Sequence, residues 1–193
     1  MYKYKLTEEI CRWSFEIKIK NTKDYWISFT NPTAGPWKTI ISYNKHNKKG
    51  EVYRFERNEK RPDLIVVNDQ LKTVIIFEAK DNLEKLLNKN QLIKSCQVTN
   101  NIINKLANIK DDEYWLKRNE YSYYNGLLWG SEKETKEEEV NKVFENYSKY
   151  LEINKNNQIA IEVIKSEDEK LNIQVFKSSK NESLNSMFND FKN

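Results

Sequence analysis

Two rhythms of apolar and polar positions run along this chain. Thr7 precedes Glu8 and Glu9, and Leu6, Ile10, Trp13 and Ile17 then recur at helical spacing. Thr7 suits an N-cap and the two acids suit the positive end of a helix dipole. The pattern predicts a helix ending near Glu16, where Ile17 and Ile19 begin to alternate. DYWISFT reads as a strand, and NPTAGPW as a turn or loop punctuated by Pro32, Gly35 and Pro36. KTIISYN reads as a second strand, KHNKKGE as a basic turn containing Gly50, and EVYRFER as a half-buried strand.

Two β-branched runs follow, RPDLIVVND and KTVIIFEAK, joined by the short link NDQLK. Residues 64–67 and 74–77 are apolar on both faces, which predicts neighbouring strands near the sheet centre. Residues 81–110 predict a long amphipathic helix with a break near residues 88–90. Its apolar side holds Leu83, Leu86, Leu87, Ile93, Val98, Ile102 and Leu106. SYYNGLLWG reads as a strand with Asn125-Gly126 as a turn candidate. KETKEEEVNKVFENYSKYLEI reads as a helix with an acidic start and a face of Val140, Val143, Phe144 and Tyr147. NQIAIEVIK and KLNIQVFK pair as a hairpin around SEDE, and NESLNSMFNDFKN ends the chain as a short helix. This order predicts an α/β fold with a central mixed β-sheet flanked by helices. The 193 residues suit one domain, able to bury about 70% of its unfolded surface.

Composition narrows the chemistry. Cys11 and Cys96 lack a CxxC spacing or histidine neighbours, which argues against a disulfide framework or a zinc site and for a reducing compartment. No signal-like segment and no run of about 20 apolar residues appears, so a soluble cytoplasmic protein without membrane contact is expected. His46 is the single histidine, so histidine-metal clusters and Ser-His-Asp triads lack parts. There is no GxxxxGK[ST] or GxGxxG loop among the four glycines. The net charge of +4 is uneven: residues 1–80 hold 16 Lys/Arg against 10 Asp/Glu, and residues 111–193 hold 12 against 17. A basic first half suits a polyanion such as nucleic acid. Abundant lysine throughout the chain would produce the same asymmetry without any ligand.

Glu78 and Lys80 stand two apart on a strand and project from one face. A carboxylate and an ammonium at the end of a buried strand are costly to desolvate unless something repays it. Asp63 starts the neighbouring strand, just after Pro62. Antiparallel pairing through the short link brings it beside Glu78, provided the register does not slip by one residue. Two carboxylates and a backbone carbonyl make a hard-oxygen site suited to Mg²⁺, and a lysine on the same edge can orient water or balance phosphate charge. These parts suit phosphodiester hydrolysis. The plainer alternative is an ion pair on an exposed strand end, with Asp63 capping a turn.

Pro62-Asp63 and Glu78-Ala79-Lys80 resemble the PD-(D/E)xK motif of the restriction-endonuclease-like nucleases, with strands at both halves, a helix before and an amphipathic helix after. The resemblance covers residues 7–110, roughly, and implies a restriction-endonuclease-like core. Residues 111–193 are then left for recognition or dimerisation within a single nuclease domain. It implies that Asp63, Glu78 and the Ala79 carbonyl bind Mg²⁺, with Mn²⁺ able to substitute, and that Lys80 acts on the water. It further implies an acid from the preceding helix, for which Glu9 is the first candidate and Glu16 the second; Glu9 also suits a purely dipole-compensating role. Gln91 and Gln97 lie on the following helix, but neither has a tyrosine four residues on, against the RecB-type exonuclease variant.

The basic stretch Lys45, His46, Lys48, Lys49, Arg54, Arg57, Lys60 and Arg61 leads into Asp63. Phosphate contacts are expected from Lys45, Lys48, Lys49, Arg54, Arg57 and Arg61, with Arg57 and Arg61 best suited to a bidentate grip. Lysines that protect a sheet edge from pairing are the competing reading. The function expected is a Mg²⁺-dependent endonuclease on double-stranded DNA, a type II restriction enzyme acting as a homodimer on a symmetric site. The rivals are a repair, junction-resolving or phage-type nuclease of the same fold, a non-catalytic DNA-binding module, and a protein-interaction domain working through the acidic C-terminal helices.

Overall fold

The two buried β-branched runs lie within a mixed six-stranded sheet. The computed structural model describes residues 5–22, 26–30, 60–68, 70–107, 121–152, 157–178 and 188, and the structural statements that follow concern these residues. They form α1 (Glu8–Lys20), β1 (Ile27–Thr30), β2 (Leu64–Asn68), β3 (Thr73–Lys80), α2 (Leu83–Leu87), α3 (Lys89–Ala107), β4 (Ser122–Ser131), α4 (Glu137–Ser148), β5 (Gln158–Lys165) and β6 (Leu171–Lys177). The strands lie in the order β1-β2-β3-β4-β5-β6. β1–β2, β2–β3 and β5–β6 are antiparallel, whereas β3–β4 and β4–β5 are parallel. Parallel neighbours need crossovers, which α2 and α3 supply between β3 and β4 and α4 supplies between β4 and β5. The protein is therefore α/β, with a mixed sheet flanked by helices.

The sheet has a core on each face, which is why its central strands read as continuous apolar runs. On one face Cys11, Phe15 and Ile19 of α1 pack with Leu64, Val66, Phe77 and Leu128. On the other, Leu86, Leu92 and Cys96 join Val140, Val143, Phe144 and Tyr147 over Leu127, Trp129 and Ala160. Both cysteines are free and buried, one in each layer. Burial pushes each thiol up to about 12.

Three local expectations change. First, α1 runs on to Lys20 and buries a different stripe: Cys11, Arg12, Phe15, Glu16 and Ile19 face inward. Trp13 and Ile17 stand 58% and 62% exposed. The helix carries two apolar stripes, and the sheet takes the one whose Phe15 ring meets Phe77 edge-on at 5.1 Å. Second, the helix breaks at Asn88, within the expected 88–90, where the side-chain oxygen accepts from the N–H groups of Asn90 (3.1 Å) and Gln91 (3.4 Å), but the buried side differs from the one expected. The break resets the helical phase, so Leu92 and Cys96 are buried while Leu87 is 40% exposed. Third, Asn125-Gly126 is no turn: β4 is continuous, and Gly126 pairs with Phe77 in register. A Cβ at Gly126 would overlap the Phe77 ring, so the glycine serves close approach.

The β5–β6 hairpin closes as expected, with Ser166 N–H donating to the Lys170 carbonyl at 2.9 Å. Phe188 is buried and stacks on Trp26 at 4.6 Å. The expected elements KTIISYN, KHNKKGE and EVYRFER, and the rest of the C-terminal helix, lie outside the described residues. Among the described residues no helix is long and apolar enough to cross a membrane.

Candidate active site

The β2–β3 connection sets the register that brings the motif together. Leu71 N–H donates to the Asn68 side-chain oxygen at 2.8 Å, and Lys72 adopts φ 47. Leu64 then lies opposite Phe77, and Asp63 N–H extends the ladder by donating to the Phe77 carbonyl at 3.0 Å. Asp63 is thereby carried to the end of β3, where its Oδ2 accepts from Ala79 N–H at 2.7 Å. The C-terminal ends of β3, β4 and β5 share one sheet edge, the edge at which open α/β sheets bind ligands.

Four oxygens converge on the Lys80 ammonium. Its Nζ lies 2.5 Å from the Ala79 carbonyl, 2.7 Å from Glu78 Oε1, and 3.5 Å from both Asp63 Oδ2 and Glu8 Oε2. Gln91 Nε2 also donates to Glu78 Oε1. From the α1 side, Arg12 Nη1 donates to the Asp63 carbonyl at 3.3 Å, and its Nε is buried without a hydrogen-bond partner. The site thus draws on both helical layers as well as on β2 and β3. Side-chain exposure rises from 9% at Glu78 through 17% at Lys80 and 20% at Asp63 to 31% at Glu8, so Glu78 is the floor and Glu8 the mouth.

Charge is in surplus on the acidic side. Burial, followed by the nearby Asp63, raises Glu78 to about 7 against the opposing pull of Lys80. Burial and Asp63 also raise Glu8, partly offset by Lys80 and Arg12. Burial acts to lower Lys80, but Glu78 and Asp63 outweigh it and hold the ammonium above its ordinary value. One ammonium shared among three carboxylates stays charged. Glu78, the most deeply buried of the three, is pushed toward its protonated form.

This donor set fits a small hard cation. Asp63 Oδ2, Glu78 Oε1 and the Ala79 carbonyl already surround one positive centre, the lysine nitrogen. Among the described residues no group of three or more His, Cys, Asp or Glu side chains is arranged as a metal cage. Two carboxylates and a carbonyl match the preference of Mg²⁺ for few protein oxygens and several waters.

Asp63, Glu78, Ala79 and Lys80 come together. Glu9 does not join them: it is exposed, and hydrogen bonds from its own N–H and the Thr7 side chain lower its carboxyl. Glu8 reaches Lys80 in its place, because the inward stripe of α1 is rotated from the one expected. Glu16 is buried about two turns further along α1. Gln97 is exposed, and Arg61 is half-buried directly before Pro62. Lys45, Lys48, Lys49, Arg54 and Arg57 lie outside the described residues. Sequence reasoning missed Glu8 and Arg12, although their spacing of four places both on one side of the helix. Comparison of the chain with models of known protein families, with curated proteins and with solved structures gives no match.

Proposed function

We propose that this protein is a Mg²⁺-dependent endonuclease that hydrolyses phosphodiester bonds in double-stranded DNA, with Asp63, Glu78 and Lys80 at its centre. The observation that carries the reading is the convergence of Asp63, Glu78 and the Ala79 carbonyl on the Lys80 ammonium at the end of two paired strands. The element order adds support. α1 precedes the two motif strands and α2 and α3 follow them, which is the order that the resemblance to restriction-endonuclease-like nucleases asks for.

In this reading Asp63, Glu78 and the Ala79 carbonyl hold the cation, with Mn²⁺ able to replace Mg²⁺. The bound ion supplies charge stabilisation and lowers the pKa of water. Lys80 stays protonated and donates to an oxygen of the attacking water or of the phosphate. Gln91 fixes the Glu78 carboxylate, and Arg12 fixes the Asp63 backbone. Glu8 holds the lysine at the mouth.

Incubation of phage DNA with Mg²⁺ tests the proposal, comparing wild type with Lys80→Ala and Asp63→Ala. Discrete fragments from wild type alone identify a site-specific, type II activity, for which a homodimer on a symmetric site is the expected form. A smear identifies a nonspecific nuclease of the same chemistry. DNA left intact under every divalent cation overturns the assignment and favours a binding module.

A further inference from the structure

We propose that the groove at the α2–α3 break is a docking track for the nucleic-acid backbone, with Lys94 as its principal phosphate contact. This rests on the nuclease reading and adds a binding surface to it. Asn88 ends α2 and redirects the chain into α3, and a cavity of about 480 Å³ opens at that point. Its lining includes Lys80, Lys85, Asn88, Gln91 and Lys94. Because Lys80 belongs to both, the groove and the catalytic cluster are one continuous surface. Gln91 links them a second time, lining the groove while donating to Glu78.

The lysines of the groove differ in what holds them. Lys80 is engaged by carboxylates, and Lys85 pairs with Asp81 at 2.6 Å. Lys94 is exposed on α3 and has no ion-pair partner among the described residues. Among the described residues Glu84 is the one carboxylate that lines the cavity, and it is exposed. An unpaired ammonium in a trough leading to a candidate phosphodiester site suits a phosphate beside the one being cleaved. Such a contact positions the backbone and carries no base information. Lys94 is therefore expected to affect affinity without changing where the DNA is cut.

The test is binding of labelled duplex DNA in EDTA, which blocks cleavage, followed by fluorescence anisotropy across a range of salt concentrations. Lys94→Ala is compared with wild type and with Lys149→Ala. Lys149 is an exposed residue at the end of α4, where Phe144 and Ser148 meet the start of β5, away from the Lys80 edge. Lys94→Ala should weaken binding roughly tenfold at moderate salt and reduce the slope of log Kd against log salt by about one, while Lys149→Ala changes neither. Unchanged melting temperatures will show that both variants fold. If wild type binds and cuts DNA while Lys94→Ala matches it in affinity and slope, the groove assignment is wrong and the nuclease reading stands. If wild type neither binds nor cuts duplex DNA, both fall together.

Discussion

Glu78 and Glu162 are both buried glutamates on strands of one sheet, yet their surroundings are opposite. Glu162 of β5 is fully buried and accepts from Trp129 Nε1 at 3.2 Å, from Thr135 N–H at 3.1 Å and from the Thr135 hydroxyl. Each donor is neutral, and together they tie the approach to α4 onto the sheet. Glu78 also accepts from one neutral donor, Gln91 Nε2, but it faces Asp63, Glu8 and a single ammonium as well, and its carboxyl is pushed up to about 7. A carboxylate with a structural task receives donors that satisfy it. Glu78 sits among like charges, an arrangement that costs stability and that the proposed cation would relieve.

The sharpest test of this contrast is cleavage itself. Asp63→Ala and Lys80→Ala should each slow phosphodiester hydrolysis by roughly 10²–10⁴-fold, while Glu162→Gln leaves the rate of the folded enzyme essentially unchanged. A comparable loss at Glu162 in single-turnover assays would erase the distinction.

Next in size is the pH dependence of metal-free stability. The folded Glu78 binds its proton more tightly than the unfolded chain, whose carboxyl titrates near 4.5. Its contribution is therefore fully present below about 4.5 and is lost as pH rises through about 7, by on the order of 3 kcal/mol. Lys80, raised above 10.5, does not titrate in this window. Urea unfolding in EDTA should show the decline in wild type and a smaller one in Glu78→Gln.

Glu162→Ala comes next, with a cost of about 2–3 kcal/mol, because it strands the Trp129 and Thr135 donors. Denaturant midpoints measure this directly, and a neutral result would make Glu162 as dispensable as a surface residue. The smallest effect is thermal stabilisation by Mg²⁺ or Mn²⁺. It amounts to about 1.4 kcal/mol when the ion is at tenfold its Kd, and it should be absent in Glu78→Gln and retained in Lys94→Ala.

What was legible in the sequence follows the range of the interactions involved. The β2–β3 pair could be read because both strands are buried on both faces and their link is too short for any partner but each other. That link also placed Asp63 at the end of β3. The orientation of α1 depended on distant residues. Gly130 lacks a Cβ, and one built there would stand 2.7 Å from Cys11 Sγ, so β4 leaves room for the Cys11 stripe. Helical periodicity alone does not choose between that stripe and the one with Trp13 and Ile17. The rotation it imposes puts Glu8 at Lys80 and leaves Glu9 in solvent. The same limit explains Gly126, whose bare Cα accommodates Phe77 and looks, in one dimension, like a turn.

The two thiols divide the molecule in a way that chemistry can read. Cys11 sits on the sheet-facing side of α1, and Cys96 sits on the buried side of α3 with the α4 core residues, each shut away from solvent and reluctant to ionise. Alkylating reagents therefore react only when a helix lifts from the sheet. The labelling rate at each position becomes a separate clock for the opening of each side, with no engineered cysteine needed.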